Sequence, residues 1–90
     1  MEEIWYLYIL RCKDGSLYTG ITTDVSRRLE EHRSGKGAKY TRGRGPLELV
    51  YREVCGTHSQ ALKRELEIKT LKREQKEQLT LKRENTGNPG

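Results

Sequence analysis

A tight turn between two strand-like segments is the feature that most constrains how this chain folds. Residues 4–12 and 17–22 are rich in tyrosine and branched apolar residues, which is typical of strands, and the Lys-Asp-Gly sequence at 13–15 has the composition of a hairpin turn. Side chains alternate along a strand, so a slip of one residue in the turn exchanges the two faces of the hairpin. The loop length therefore decides which side chains share a core.

Two loop lengths are compatible with this turn. A two-residue Asp-Gly loop puts Tyr8 and Tyr18 on opposite faces and mixes the apolar set. A three-residue loop with Gly15 left-handed pairs Cys12 with Ser16 and collects one apolar face, made of Trp5, Leu7, Ile9, Leu17 and Ile21. Burial favours the three-residue loop, which gathers on the second face Tyr6, Tyr8, Tyr18 and Gly20. These tyrosines either fill a second core layer or serve a function, and the pattern leaves both open.

Three helices and one more strand are predicted after the hairpin. Thr22, Thr23 and Asp24 are N-caps for a helix that ends near Ser34, with Gly35 beyond it. Residues 47–54 alternate weakly as a third strand, and residues 57–60 fit a capping box that opens a second helix. Residues 73–82 indicate a short amphipathic helix. The polar segment 84–90 is predicted as a disordered tail, which leaves residues 1–83 as one domain.

Composition excludes several classes of protein. In 90 residues the hydrophobic fraction is 32% and the charged fraction 34%, and no apolar run is long enough to span a bilayer. Two cysteines are too few for a disulfide scaffold, and Cys12, Cys55, His32 and His58 lack the paired spacing of a structural zinc site. We therefore expect one small soluble domain, cytoplasmic, without a membrane partner and monomeric.

Positive charge is concentrated in one glycine-rich segment. The net charge is +5, and no acidic residue lies between Glu31 and Glu48. That interval holds five cations interleaved with four glycines, and the cations are Arg33, Lys36, Lys39, Arg42 and Arg44. Glycines keep backbone N–H groups accessible and let cations approach phosphate oxygens. The segment is either a nucleic-acid contact or a solvated loop.

Two predicted helices carry charged residues beside their apolar positions. In the first, Arg28 and His32 lie on or beside the stripe of Val25 and Leu29, which indicates either a functional pair or stems that pack while the polar heads reach water. In the second, Glu65 lies within a face of four apolar residues, whereas Lys63, Arg64 and Glu67 are predicted to point away. The four are Ala61, Leu62, Leu66 and Ile68.

A carboxylate in an apolar face needs a cation, a metal ion or hydrogen-bond donors. An edge salt bridge would satisfy Glu65, but a functional carboxylate is the favoured interpretation. One carboxylate can hold Mg²⁺ when water and a substrate phosphate complete the shell. An arginine can stabilise the transition state, and a tyrosine beside cations can accept a proton. These parts suit phosphodiester hydrolysis.

Two tripeptides, Tyr-Leu-Tyr at 6–8 and Tyr-Thr-Gly at 18–20, come before Arg28 and Glu65 along the chain. The tripeptides are similar to the paired motif of the GIY-YIG nuclease superfamily, and the order of all these residues resembles its small standalone bacterial members, which are related to the N-terminal nuclease module of UvrC. Arg28 stands ten residues after Tyr18, and Glu65 stands in an Ala-x-x-x-Glu helix. Residues 6–69 carry the resemblance.

The resemblance implies an α/β domain of the α+β kind, with a three-stranded antiparallel sheet flanked by helices. It also implies Mg²⁺- or Mn²⁺-dependent cleavage of DNA phosphodiesters in repair or recombination. By this resemblance Tyr8 or Tyr18 would be the general base, with Tyr8 favoured. Arg28 would stabilise the transition state and Glu65 would bind the metal ion. His32 would lie near the scissile phosphate. Lys39 and Tyr40 are expected to contact the substrate.

Two other functions are compatible with the same residues. The basic segment alone supports a nucleic-acid-binding module that is inactive or that needs a protein partner to supply activity or specificity. A protein-interaction adaptor would use the segment only as solvated surface. The four residues Tyr8, Tyr18, Arg28 and Glu65 favour an enzyme, because a binding module has no need of all of them.

Overall fold

Three antiparallel strands form the centre of the molecule in a computed structural model, which describes residues 3–86. The strands are β1 (Trp5–Arg11), β2 (Leu17–Thr22) and β3 (Glu48–Gly56), and their order in the sheet is β2-β1-β3. The helices are α1 (Val25–Arg33), α2 (His58–Lys69) and α3 (Arg73–Thr86), with a short 3₁₀ turn at Lys39–Thr41. The prediction of a three-stranded antiparallel sheet flanked by helices is confirmed.

The β1–β2 hairpin has the three-residue loop that burial favours. The N–H of Cys12 donates to the carbonyl of Ser16 at 2.9 Å, and Gly15 has a φ of 87°, in the left-handed region that favours glycine. Along the strands, Tyr8 therefore lies opposite Gly20. This register is what puts Tyr8 and Tyr18 on the same face of the sheet.

Both faces of the sheet are covered, and each has its own core. On one face Leu7, Ile9 and Val50 pack with Ile68 of α2, while residues from α3 and the loop before it lie against this cluster. On the other face the buried residues include Tyr8 and Val25, the first residue of α1. Tyr8 is thus a core residue as well as a candidate functional one, so neither interpretation of the tyrosine face excludes the other.

The helix ends follow the predicted caps. The Asp24 side chain accepts from the N–H of Arg27 at 3.0 Å, and Ser34 ends α1. Thr57 and Gln60 form the capping box of α2. Helix α3 continues to Thr86, within the segment 84–90 predicted as a tail, and residues 87–90 of that segment lie outside the described part. Of the helices within residues 3–86, none is long and apolar enough to cross a membrane.

The predicted apolar face of α2 is partly wrong. Ala61 and Ile68 are buried, but Leu62 and Leu66 are 42% and 67% exposed. Arg64, expected to point away, turns towards the sheet, where its Nε and Nη2 donate to the two carboxylate oxygens of Glu53 at 2.7 and 3.1 Å. In this orientation of the helix the bidentate ion pair is made, residues 64 and 65 face inwards and the two leucines face out.

Candidate active site

Gly20 lets the ring of Tyr8 cross strand β2. A Cβ atom at position 20 would lie 2.5 Å from Tyr8 Oη and 2.7 Å from its Cζ, closer than any side chain tolerates. The glycine of the second motif therefore creates the space through which the buried phenol reaches α1. Because Tyr8 lies opposite Gly20 only in the three-residue register, the turn at 13–15 is also what aligns this pair.

The hydroxyl of Tyr8 meets the imidazole of His32 at the end of α1. Tyr8 Oη and His32 Nε2 are 2.8 Å apart, a short hydrogen bond, and both side chains are buried. The ring of Tyr18 lies beside the same imidazole in an edge-on arrangement, with centroids 5.3 Å apart. Three of the predicted catalytic residues, Tyr8, Tyr18 and His32, thus form one contiguous cluster.

The glycine-rich segment holds the far side of the imidazole. His32 Nδ1 is 2.8 Å from Thr41 Oγ1 and 3.3 Å from the N–H of Ala38. Thr41 Oγ1 also donates to the Ala38 carbonyl at 2.9 Å. A Cβ at position 37 would overlap the imidazole, so Gly37 lets the backbone lie directly against His32.

A stack of side chains fastens this segment to the hairpin turn. Tyr40 stacks on Tyr18 with centroids 5.7 Å apart, and the guanidinium of Arg44 lies 4.4 Å from the Tyr40 ring. Arg44 Nη1 in turn pairs with Asp14 Oδ2 at 2.7 Å, and its carbonyl accepts from the N–H of Lys13. The turn that sets the strand register therefore also holds the basic segment beside the tyrosines.

Arg28 and Glu65 act on the cluster through their charges. Arg28, one turn before His32 on α1, pairs with Glu31 at 2.9 Å. Glu65 comes from α2, which covers the opposite face of the sheet and also packs against the edge strand β2. Its side chain is 18% exposed, and its Oε2 lies 3.4 Å from Lys69 Nζ.

Burial and these charges set the protonation states of the two central groups. Burial raises the pKa of Tyr8 to about 12, opposed by the nearby guanidinium of Arg28 and reinforced by Tyr18 and by the carboxylate of Glu65. Burial lowers the pKa of His32 below its ordinary value, and the positive charge of Arg28 lowers it further. At neutral pH the pair consists of a protonated phenol and a neutral imidazole.

The predicted nucleic-acid residues divide into two groups. Four cations are exposed, namely Arg33, Lys36, Lys39 and Arg42, and the guanidinium of Arg33 also donates to the Leu47 carbonyl at 3.4 Å. Tyr40 is also exposed, although its ring contacts both Tyr18 and Arg44. Arg44 itself is engaged by Asp14, so much of its charge is already paired.

Sequence reasoning missed Gly37 and Thr41, which form the far wall of the imidazole site. Neither residue lies in an α-helix or β-strand whose periodicity would predict burial, and nothing in the local sequence around Thr41 indicates that its side chain is buried. The run of alternating glycines was the one available signal, because it marks a backbone that must approach something closely. What it approaches, the His32 ring, follows only from the tertiary structure.

The residues that could hold a metal ion are few. Within residues 3–86 no group of three or more His, Cys, Asp or Glu side chains is placed to bind one. Glu65 is the predicted ligand, and a single partly exposed carboxylate fits an ion such as Mg²⁺, which keeps most of its water and takes further ligands from substrate phosphates. It does not fit zinc, which takes three or four protein ligands.

Comparison with protein families identifies this arrangement. The model of the GIY-YIG catalytic domain matches residues 4–78, which include the whole cluster. The chain belongs to the GIY-YIG family. This is a nuclease family, and the sequence resemblance is therefore confirmed at that level.

The family assignment extends to close relatives and to solved structures. A UPF0213 protein of Haloquadratum walsbyi is 58% identical over 79 residues, covering 88% of this chain and 89% of the relative. The solution structure of the UPF0213 protein from Bacillus halodurans aligns with a TM-score of 0.55 at 58% identity, over 84% of this chain and 81% of that one. A solution structure of a protein from E. faecalis aligns with a TM-score of 0.62 at 45% identity, over 100% and 97% of the two chains.

Proposed function

We propose that this GIY-YIG protein is a metal-dependent endonuclease that hydrolyses phosphodiester bonds in DNA. The observation that carries the proposal is the buried hydrogen bond of 2.8 Å between Tyr8 Oη and His32 Nε2, with the charges of Arg28 and Glu65 acting on it. A protonated phenol bonded to a neutral imidazole can transfer a proton in two linked steps. Hydrolysis of a phosphodiester needs such a route, because the attacking water must lose a proton.

Tyr8 acts in this scheme as a relay. With a pKa of about 12, only about one molecule in 10⁵ would hold a phenolate at pH 7, so a standing phenolate is a poor base. The phenol instead accepts the proton of the attacking water as it donates its own to His32 Nε2. Since the pKa of His32 is lowered by burial, the imidazole is neutral and able to accept that proton.

Arg28 stabilises the charge that develops on the phosphoryl oxygens. It lies on α1 one turn before His32, and its charge already influences both Tyr8 and His32. Its ion pair with Glu31 is partly exposed and holds the guanidinium near the phenol. A cation positioned where negative charge grows contributes typically 10²–10³-fold, or about 3–4 kcal/mol, to such a reaction.

Glu65 would hold the Mg²⁺ or Mn²⁺ ion of the reaction. When bound, such an ion polarises the phosphoryl group and neutralises its charge. The partly exposed carboxylate is available for this, because its partner Lys69 is half exposed and the contact of 3.4 Å is a loose one.

The exposed cations of the glycine-rich segment hold the DNA backbone against this site. Contacts to phosphates position a nucleic acid without reading its sequence. Arg33 ends α1, and Lys36, Lys39 and Arg42 follow in the loop that packs against His32. A DNA backbone bound by these four exposed cations would pass close to Tyr8 and Tyr18. This favours a nuclease whose choice of site depends on DNA structure rather than on base sequence.

Cleavage of labelled branched and duplex DNA in Mg²⁺ or Mn²⁺ tests this function. The parent protein is compared with Glu65→Gln and with a matched control, Glu67→Gln, two residues away on α2 and more exposed. We expect product from the parent and from the control and a loss of at least 10²-fold for Glu65→Gln.

The other outcomes of this experiment also decide between functions. Equal cleavage by Glu65→Gln and the parent would contradict the metal-binding role of Glu65. DNA binding without product from any of the three proteins would favour instead a binding module that depends on a partner, which the exposed basic loop supports on its own.

A further inference from the structure

His32 makes hydrogen bonds at both ring nitrogens, and one of them is not explained by its contact with Tyr8. We propose that Thr41 is a positioning residue that holds His32 in the tautomer with the proton on Nδ1, so that Nε2 is free to accept the proton of Tyr8. The consequence for cleavage rests on the proposed nuclease function. The tautomer itself does not, and it can be measured separately.

The hydroxyl of Thr41 has one proton, and a backbone carbonyl lies within hydrogen-bond distance to accept it. Thr41 is buried at the end of the 3₁₀ turn, and its Oγ1 donates to the carbonyl of Ala38 at 2.9 Å. A carbonyl can only accept, so this bond is made only when the hydroxyl proton points at Ala38. Thr41 Oγ1 then faces His32 Nδ1, 2.8 Å away, with a lone pair, and Nδ1 must supply the proton of that bond.

A competing arrangement exists at the same nitrogen. The N–H of Ala38 points at His32 Nδ1 from 3.3 Å, and a backbone N–H can only donate. If Nδ1 accepted from Ala38, the imidazole proton would move to Nε2 and be directed at Tyr8 Oη. The Thr41 hydroxyl would then lose its bond to the Ala38 carbonyl and donate to Nδ1 instead. It would compete with the Ala38 N–H for the single lone pair of Nδ1.

The short distances favour the first arrangement. The tautomer protonated at Nδ1 makes all three short bonds, from Tyr8 to His32, from His32 to Thr41 and from Thr41 to Ala38, at 2.8, 2.8 and 2.9 Å. Its cost is the 3.3 Å contact, in which the Ala38 N–H then faces the Nδ1 proton instead of a lone pair. The Thr41 hydroxyl is therefore what prevents the Ala38 N–H from reversing the tautomer.

This tautomer decides whether the Tyr8–His32 pair can move a proton. With Nε2 unprotonated, the phenol of Tyr8 donates to the imidazole and can pass its proton on. With Nε2 protonated, the imidazole is a donor and cannot accept, so the relay stops although every residue stays in place. The hydrogen bonds of the Thr41 hydroxyl are to His32 and Ala38, so it acts on the phenol through His32.

Two substitutions separate the hydroxyl from the shape of the side chain. Thr41→Val keeps the shape and removes the acceptor, and Thr41→Ser keeps the hydroxyl. Long-range ¹H–¹⁵N NMR of protein labelled at histidine nitrogen, recorded at pH 8, reports which nitrogen carries the proton. The chain has two histidines, and the exposed His58 serves as an internal reference that a His58→Gln variant assigns.

We expect His32 to carry its proton on Nδ1 in the parent and in Thr41→Ser, and on Nε2 in Thr41→Val, with His58 unchanged. Cleavage of labelled DNA in Mg²⁺ should fall by roughly 10–10²-fold in Thr41→Val through the rate at saturating DNA, with binding unchanged, and should be largely retained in Thr41→Ser.

Three results would contradict parts of this scheme separately. A parent protein protonated at Nε2, or a Thr41→Val variant that keeps the Nδ1 proton, would overturn the assignment of Thr41. A tautomer that switches while cleavage by Thr41→Val stays at the parent rate would overturn its role in the reaction. If the parent cleaves no DNA, the nuclease proposal fails, and the NMR result still decides whether Thr41 sets the tautomer.

Discussion

Replacing Tyr8 by phenylalanine removes the one atom through which the proposed relay works. The ring is buried among core residues on the α1 face and keeps its packing, so the change removes only the bond of 2.8 Å to His32 and the interaction of the hydroxyl with the Arg28 guanidinium. A buried hydrogen-bond partner left alone costs about 1–3 kcal/mol, so the free energy of unfolding should fall by that amount. For a domain of this size each kcal/mol lowers Tm by roughly 4–8 °C, while cleavage should fall by 10²–10⁴-fold.

Tyr51→Phe is the matched control for this substitution. Tyr51 is the other tyrosine whose pKa is raised to about 12, chiefly by burial, and its hydroxyl donates to Glu53 on the opposite face of the sheet. Its removal should cost a comparable amount, about 1.5–3 kcal/mol, because the acceptor is charged, and leave cleavage at the parent rate. Urea titration and single-turnover cleavage of labelled DNA measure the two quantities. Cleavage by Tyr8→Phe within a few-fold of the parent, or an equal decrease in Tyr51→Phe, would refute the reasoning.

Three further predictions concern the glycine gap, the buried imidazole and the basic loop. Gly20→Ala should displace the Tyr8 ring, lower the free energy of unfolding by about 1–3 kcal/mol in urea titrations and reduce cleavage, and a fully active variant would show that the ring does not need this space. Because the pKa of His32 is lower in the folded than in the unfolded chain, the free energy of unfolding should be highest above pH 6.5 and should decrease as the pH falls below that value. If a His32→Gln variant shows the same pH dependence, His32 is not its cause. The third substitution neutralises three exposed cations of the loop, Lys36, Lys39 and Arg42. The slope of log K for DNA binding against log salt concentration should become shallower by about 0.9 for each phosphate contact that is lost. Lys72→Gln, outside the loop, should leave this slope unchanged.

The hairpin was predictable because burial alone decides its register. Only the three-residue loop collects the apolar residues on one face, and the sheet has that register, with Tyr8 opposite Gly20. The ends of α1 and the start of α2 were predictable for a similar reason, since a cap such as Asp24 or Thr57 satisfies backbone groups a few residues away. These features depend on local chemistry.

The orientation of α2 was not predictable in the same way. The helical pattern grouped Leu62 and Leu66 with the core, but both are exposed, and Arg64 instead faces the sheet and pairs with Glu53. A charged residue can face a sheet only where an oppositely charged partner, here from another strand, lies within reach. The periodicity of a helix gives no information about that partner. The presence of Glu65 on the inward side, by contrast, was predicted and agrees with its partial burial.

The grouping of Tyr8, Tyr18 and His32 could be suggested from the sequence, whereas the bonds that connect them could not. The spacing of Tyr8, Tyr18 and Arg28 resembles the family pattern, but the bond from Tyr8 to His32 depends on how α1 lies across the sheet. The far wall of the imidazole, built by Gly37 and Thr41, lies in a loop with no periodicity. Such contacts follow from the tertiary structure alone. In the proposed mechanism they determine whether His32 can accept the proton of Tyr8.

The pH dependence of single-turnover DNA cleavage in Mg²⁺ tests the central claim most directly. A nuclease that passes the proton from water through Tyr8 to a neutral His32 should form product at neutral pH, lose rate as His32 becomes protonated below pH 6.5, and show no further tenfold rise per pH unit towards 12. A rate that climbs steadily towards the pKa of Tyr8 would mean that free phenolate is the base and that His32 is not the acceptor. No product at any pH, from branched or duplex DNA, would contradict the nuclease itself.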